Sequence, residues 1–373
     1  MHSMRILHIS KYYFPYIGGV ENICKYLVEE MPEHETAVVC FDDGFRDKTE
    51  VINGHTIYRV GSWVNIARQA ISPTYFFVLR RAIKEFQPDV VHFHWANPFP
   101  AWVLLCVIPK NVKLVVHWHM DIIKQKSLYP IVKSVETRLL KRAVQVYVTS
   151  PNYKEHSRPL RKFKSKVFLL PNAIDESMME KQDADAKAIS SLRRKYGNKP
   201  IVFFVGRHIQ YKGLHNLIDA APLIKTDCAI LIGGEGPLTK DLQERCKSNN
   251  VFFVGRLSAD KLRQYHYAAK IFAFPSITKN EAFGVALAEA MYAGAPAVTF
   301  KIKGSGVNWV SLKDETCLEV ENSNVEAYAE AIDRLLTDKE LWTRLSEAGI
   351  RRVKDNFLIK HMVEACNNYY KDL

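Results

Sequence analysis

The chain has 373 residues, enough for two domains of ordinary size, and its 47% hydrophobic content is ample for two packed cores. Fifty-two basic against 40 acidic side chains give a formal net charge of +12, which favours an anionic partner. Seven scattered cysteines, odd in number and without a C-x-x-C pair, argue against a disulfide or zinc-finger framework and for a reduced, cytoplasmic setting.

At the N-terminus there is no signal-peptide pattern, and Met1-His2-Ser3 reads as an expression remnant outside the fold. Met4–Ser10 reads as a first strand, residues 11–17 as a loop rich in Tyr and Pro, and Gly18-Gly19-Val20 as the opening of a helix carrying Glu21, Leu27, Val28 and Met31. Glycines at a strand-to-helix turn let the backbone approach a phosphate closely, although such a pair is as often structural. Val90–His94 and Lys113–His119 are further strands, each ending in histidines, with Asp121 just beyond the second. Side chains two apart on a strand share a face, so His-x-His with a nearby Asp has the makings of a metal site. A third His comes within reach only if the two strands are neighbours, and satisfied core histidines are the alternative.

The longest apolar run, residues 99–108, is about half of the ~20 residues that span a bilayer, so no membrane crossing is expected. Between Asp121 and Lys166 there are twelve Lys or Arg against three acids, an excess suited to an anionic surface, where each cation is worth ~1 kcal/mol. Trp63, Ile66, Tyr75, Phe76, Phe77, Trp95 and Trp102 are candidate apolar anchors on the same domain, most of them expected in the core. Nucleic acid is not expected as a partner, because neither an aromatic-basic RNA-binding sheet nor a recognition helix is present.

A polar, helix-prone stretch, Glu176–Lys199, follows Pro171–Asp175, and the domain boundary is placed there. Within it Asp183-Ala184-Asp185 has the letters of an Asp-x-Asp metal site, in a polar linker with no preceding strand. Ile201–Val205 is a strand ending in Gly206-Arg207, followed by Lys212-Gly213 and a helix from Leu214. Two cations after one strand end suit a diphosphate, Arg207 by a bidentate contact and Lys212 as a point charge. Ala229–Gly233 runs into Gly233-Gly234-Glu235-Gly236-Pro237, which lacks the G-x-G-x-x-G spacing and reads as a tight turn, and Val251–Val254 runs into Gly255-Arg256.

Ile271–Ser276 reads as a buried strand ending in a loop, and from Phe283 good helix formers run until Gly294 and Pro296. Glu281 then precedes a helix N-terminus, and Glu289 lies about two turns in, ~12 Å along the axis at ~1.5 Å per residue. The exposed amides of Phe283 and Gly284 make an anion site that fits a diphosphate. Glu281 is in reach of a sugar hydroxyl on one side, and Glu289 of two ribose hydroxyls on the other. Two solvated glutamates around a helix cap are the bland alternative.

Taken in order, Gly206-Arg207 with Lys212-Gly213, the 233–237 turn, Pro275-Ser276, Glu281-Ala282-Phe283-Gly284 and Glu289-Ala290 resemble the donor-binding half of glycosyltransferase family 4, retaining enzymes of the GT-B fold. Strands alternating with helical patterns in both halves agree with that α/β class. The resemblance implies two Rossmann-like, doubly wound parallel-sheet domains facing a cleft. Residues 1–172 would bind the acceptor and 173–354 the nucleotide sugar, with a C-terminal helix, 355–373, returning to the first domain. It implies that Arg207, Lys212, Gly18, Gly19 and the amides of Phe283, Gly284 and Val285 contact the donor diphosphate. Glu281 contacts the hexose, Glu289 the ribose, and the main chain around Gly255 and Arg256 the base. His119 faces the donor sugar and Asp121 the acceptor side. His119, Glu281, Arg207 and Lys212 form the catalytic set.

The run from His117 to Lys126 is similar to bacterial O-antigen and capsule transferases. Departures from the family pattern are His117, where a small polar residue is common, Ala173 in place of Gly, and the loop Lys301–Val310 with Cys317-Leu318 after it. The expected function is retaining, metal-independent transfer of a hexose from a UDP- or GDP-sugar to a lipid-linked bacterial surface glycan. No cofactor and no metal are expected, and the protein is placed at the inner face of the cell membrane as a peripheral, cytoplasmic enzyme. Arg207, Lys212 and the helix amides would stabilise the departing diphosphate, a preorganised electrostatic contribution often worth several kcal/mol. The alternatives are a GT-B nucleotide-sugar 2-epimerase, which needs no acceptor, and a non-catalytic basic shell that binds membrane or nucleic acid.

Overall fold

The computed structural model describes residues 3–66, 69–122 and 129–373. The chain divides into two compact units, Met1–Asn172 with Ile359–Leu373, and Ala173–Leu358.

In the first unit the strands are β1 (Arg5–Ile9), β2 (Glu35–Asp42), β3 (Lys48–Ile52), β4 (His55–Gly61), a separate hairpin of β5 (Val64–Ile66) and β6 (Gln69–Ile71), β7 (Val90–Trp95), β8 (Lys113–Trp118), β9 (Gln145–Val148) and β10 (Val167–Leu169). The main sheet has the order β10-β9-β8-β7-β1-β2-β4-β3. Each neighbouring pair is parallel except β3 with β4. Parallel neighbours need crossover connections, and the helices Gly19–Glu29, Tyr75–Phe86, Pro98–Val107, Tyr129–Arg142 and Pro151–His156 supply most of them, while β2 reaches β4 through β3. Strands covered on both faces run largely apolar, and Ile6, Leu7, Ile9, Val90, Val91 and Phe93 are all buried, with the buried His8, His92 and His94 between them.

The helix Lys339–Asn356 of the second unit runs past residue 354, so the C-terminal helix that returns to the first unit begins at Ile359. There the Tyr369 hydroxyl donates to the Leu169 carbonyl (2.7 Å) and Gln145 donates to the Tyr369 carbonyl (3.1 Å).

The second unit contains β11 (Ile201–Val205), β12 (Ala229–Gly233), β13 (Val251–Gly255), β14 (Ile271–Phe274), β15 (Ala297–Phe300) and β16 (Cys317–Val320), in the order β13-β12-β11-β14-β15-β16. All five pairings are parallel. The order reverses between β11 and β14, and in such sheets a ligand crevice forms at the carboxyl ends of the strands around that point. Cys317 pairs with Ala297 inside the core, so the departure at that position is a strand residue.

Asp183-Ala184-Asp185 is not in a linker. It forms the first turn of the helix Asp183–Lys195, where Asp185 accepts from the Gln182 amide (2.8 Å) and holds the buried Arg263 with two hydrogen bonds (2.7 and 3.2 Å). The Arg263 contact depresses the Asp185 carboxyl far below the usual range. Asp185 is thus a structural residue of this unit.

Candidate active site

The carboxyl ends of β11 to β14 bring together the segments that the motifs named. Gly234 has φ +94°, and a Cβ on it would meet the Gly206 carbonyl oxygen at 2.1 Å. The glycine turn therefore lets two strand ends lie backbone to backbone, with Gly206 N–H donating to Gly233 O (3.2 Å) and His208 N–H to Glu235 O (3.1 Å). Gly213 (φ +63°) does the same against the Pro275 carbonyl, where a Cβ would stand 2.1 Å away. That approach draws Lys212 toward the end of β14.

Lys212 and Glu281 meet as an ion pair with side chains only 12% and 11% exposed. Ser276 also donates to the Glu281 carboxylate (3.2 Å), and Ser305 donates to its main-chain carbonyl (2.5 Å). Burial alone would lower the Lys212 ammonium, but Glu281 and Tyr211 outweigh it and raise the pKa overall. The ammonium also lies 5.1 Å from the centre of the Phe274 ring. Lys212 and Glu281, expected to touch different parts of a donor, thus hold each other. Arg207 is exposed and makes no ion pair among the described residues.

The helix after Glu281 begins at Val285 rather than Phe283, because Gly284 adopts φ +92° and serves as its N-cap. Phe283 turns its ring into the core, 5.3 Å from that of Phe357. The amides of Phe283, Gly284, Val285 and Ala286 have no backbone acceptor among the described residues, as a helix start requires. The later start puts Glu289 little more than one turn into the helix, not two. Its carboxylate stands 3.6 Å from Nε2 of the fully buried His266, beyond hydrogen-bond length, and remains partly exposed. Gly255 has φ +69°, and the exposed Arg256 pairs with Glu235 at 3.1 Å across solvent.

Sequence reasoning assigned no role to Ser276, Ser305 or His266. Ser276 stood inside a quoted motif. Ser305 sits in the divergent 301–310 loop, and only its contact with Glu281, 24 residues away, shows its use.

In the first unit Gly18 (φ −172°) caps the helix Gly19–Glu29, and a Cβ on Gly19 would meet nothing within 4 Å. The backbone itself does not demand glycine there. His119 lies just past β8 and is 4% exposed, its Nε2 3.0 Å from Nδ1 of His94 and its ring stacked on His117 at 4.1 Å. Burial lowers its pKa to about 3, so the ring is neutral. Asp121 does not present an open carboxylate: it is 7% exposed, its Oδ1 accepts from Trp118 Nε1 (3.0 Å) and Ser157 Oγ (2.7 Å), and its N–H donates to the Tyr153 hydroxyl (2.5 Å). It anchors the loop after β8.

In the basic segment, Lys124 and Lys126 lie outside the described residues. Three of the other cations are tied to main-chain carbonyls: Arg142 to Val112 (2.7 Å), Lys154 to Val167 (2.7 Å) and Lys166 to Ala143 (2.6 Å). Lys164 pairs with Glu155. Lys133, Arg138, Lys141, Arg158, Arg161 and Lys162 remain exposed. Of the apolar anchors, Tyr75 and Trp95 are core, whereas Trp63, Phe77 and Trp102 are more than half exposed; the side chain of Ile66 lies outside what is described. Among the described residues no helix is long and apolar enough to cross a membrane.

Two family profiles divide the chain as the two sheets do. One described as Glycosyltransferase Family 4 matches residues 17–177, and one described as Glycosyl transferases group 1 matches residues 186–352. The chain is 26% identical over 392 aligned residues, 99% of each protein, to the O-antigen chain mannosyltransferase C of Escherichia coli. It is 30% identical over 338 residues, 88% of this chain and 86% of the relative, to D-rhamnosyltransferase WbpZ of Pseudomonas aeruginosa. The solved structure of sucrose-phosphate synthase from Thermosynechococcus elongatus superposes with a TM-score of 0.82 at 22% identity, over 99% of this chain and 98% of that one. With a 30% identical relative covered over most of its length and both halves matched by these profiles, the chain belongs to glycosyltransferase family 4, built on the GT-B fold.

Proposed function

We propose that this enzyme transfers a hexosyl group, with retention and without a metal ion, from a UDP- or GDP-linked sugar to an O-antigen-type glycan carried on a lipid. The observation that carries the reading is the Lys212–Glu281 pair, fixed by Ser276 and Ser305 beside an exposed Arg207 and the free amides of residues 283–286. A diphosphate entering there meets one open cation, one cation already raised in pKa, and the positive end of a helix. As the anomeric C–O bond breaks, charge grows on the departing phosphate oxygen, and Arg207 and Lys212 stabilise it without reorganising. The phosphate oxygen then takes the acceptor proton, so that no enzyme carboxylate needs to become a nucleophile. Glu281, freed from part of its pairing, accepts from a donor hydroxyl, and Glu289 accepts from the ribose. His119, held neutral, is a hydrogen-bond partner for the donor sugar rather than a cation.

Two relatives named for mannosyl and D-rhamnosyl transfer support a donor of manno configuration, and the E. coli relative's name supports the acceptor class. The exposed Arg158, Arg161 and Lys162 suit the anionic membrane surface where a lipid-linked acceptor resides. A panel of UDP- and GDP-sugars assayed for donor hydrolysis with and without EDTA tests the reading. Turnover of at least one sugar, unchanged by the chelator, is expected; no turnover of any donor, or turnover abolished by EDTA and restored by manganese, contradicts it.

A further inference from the structure

The first unit holds five histidines on one face of three adjacent strands. His8 is on β1, His92 and His94 are on β7, and His117 and His119 are on or just past β8, all of them 0–4% exposed. Their rings stack as a continuous array, with centroids 4.1 to 5.6 Å apart along neighbouring pairs. The condition set by the sequence is met: β7 and β8 are neighbours, and His94 stands opposite His117 in register.

A core of neutral imidazoles needs a partner for every ring nitrogen, and this one falls short. His8 Nε2 and His117 Nε2 are buried without any among the described residues. His92 Nε2 faces His117 Nδ1 at 3.4 Å, while His92 Nδ1 is held by the Tyr370 hydroxyl at 2.5 Å. One ring nitrogen from each of His92, His94 and His117 falls within 4.8 Å of the others.

We propose that His92, His94 and His117 bind a zinc-class divalent cation inside the first unit. Four nitrogens arranged tetrahedrally at the usual Zn–N distance of about 2.0–2.1 Å stand ~3.3–3.4 Å apart, which is the spacing His92 Nε2 and His117 Nδ1 already have. His94 has to close on that pair by a fraction of its side-chain reach. The Tyr370 hydroxyl, accepting from His92 Nδ1–H, leaves Nε2 with its lone pair turned toward the ion, the usual second contact of a ligating imidazole. Bound there, the ion ties β7 to β8 and, through Tyr370, the helix Ile359–Lys371 to the same sheet. Its ligands are distinct from Arg207, Lys212 and Glu281, which belong to the other unit, and His119 packs against two of them, His94 and His117. A second donor set, His8, Cys24 and His94, shares His94 and competes for the ion.

The test uses the full chain without a polyhistidine tag, stripped by chelator, loaded with zinc sulfate and desalted before metal analysis. Wild type is expected to retain about one zinc ion per chain. His117→Asn is expected to cut that by about tenfold or more. Tyr370→Phe, which keeps all three ligands, is expected to weaken zinc affinity about 10-fold with an unchanged far-UV circular dichroism spectrum. Cobalt in place of zinc is expected to give visible bands of tetrahedral intensity without a thiolate charge-transfer band. Wild-type protein that retains no zinc, a His117→Asn variant that retains as much as wild type, or a thiolate band placing the ion on Cys24 would each overturn the proposal.

Discussion

The histidine array of the first unit and the Lys212–Glu281 pair of the second both bury ionisable side chains, with opposite results. Around His92, His94 and His117 there is no opposing charge among the described residues, so burial drives each pKa well below its ordinary value and the groups stay neutral. At Lys212 burial acts in the same direction, yet a carboxylate in contact outweighs it and the ammonium stays charged. Both units are built on a largely parallel sheet. What differs is whether the loop after a neighbouring strand supplies a counter-charge, and Gly213 and Gly284 are what allow those loops to close in. On the proposed reading, that buried charge is available to an incoming diphosphate.

Substitution at the pair gives the largest effect. Glu281→Ala removes both the proposed hexose contact and the group that holds Lys212, and turnover is expected to fall by roughly 10²-fold or more with little change in nucleotide affinity. Glu289→Ala is expected to do the reverse, weakening GDP or UDP binding while leaving kcat within a few-fold. Steady-state kinetics beside nucleotide titration separate the two, and equal losses in both parameters for both variants would erase the distinction between the two glutamates.

How much of this was legible in the sequence differs between local and long-range features. The strands were readable because buried parallel strands are continuous apolar runs, as in Ile201–Val205 and Ile271–Phe274. The loop segments that converge beside β11 and β14 were readable because glycines and cations stand directly after those runs. The pairing of Lys212 with Glu281 was not, since 69 residues separate them and only the adjacency of β11 and β14 brings them together. The start of the helix at Val285 was missed because helix formers begin at Phe283, and the left-handed Gly284 overrides that propensity. Asp121 looked open because two of the residues that bury it, Tyr153 and Ser157, come from a later helix and its C-cap.

A third kind of burial sharpens the comparison. Glu136 is 3% exposed, its Oε2 has no partner among the described residues, and burial followed by the nearby Asp121 pushes its pKa up to about 7. A carboxyl raised in the folded state contributes stability that is fully present below its unfolded pKa of about 4.5 and is lost as pH rises through about 7. Glu136→Gln is therefore expected to leave thermal stability near wild type at pH 5 and to raise it by roughly 2 kcal/mol at pH 8. Melting curves across that range check it, and a variant less stable at pH 8 than wild type would contradict it.

The smallest effect concerns charges on the surface. Arg158, Arg161 and Lys162 are exposed, so replacing all three with Gln is expected to weaken sedimentation with anionic vesicles at low salt by a few-fold, the attachment of wild type itself fading as ionic strength rises above ~0.1 M. Undiminished vesicle binding by the triple variant would assign those cations to solvent alone.

The central claim is that the second unit receives a nucleoside diphosphate on Arg207 and Lys212. Calorimetric titration of wild type with GDP and GMP, and with UDP and UMP, tests it most directly. One diphosphate is expected to bind at least about tenfold more tightly than its monophosphate, and Lys212→Ala with Arg207→Ala is expected to abolish that preference while monophosphate affinity stays near wild type. Equal affinity for mono- and diphosphate in wild type, or an undiminished preference in the double variant, would contradict the account.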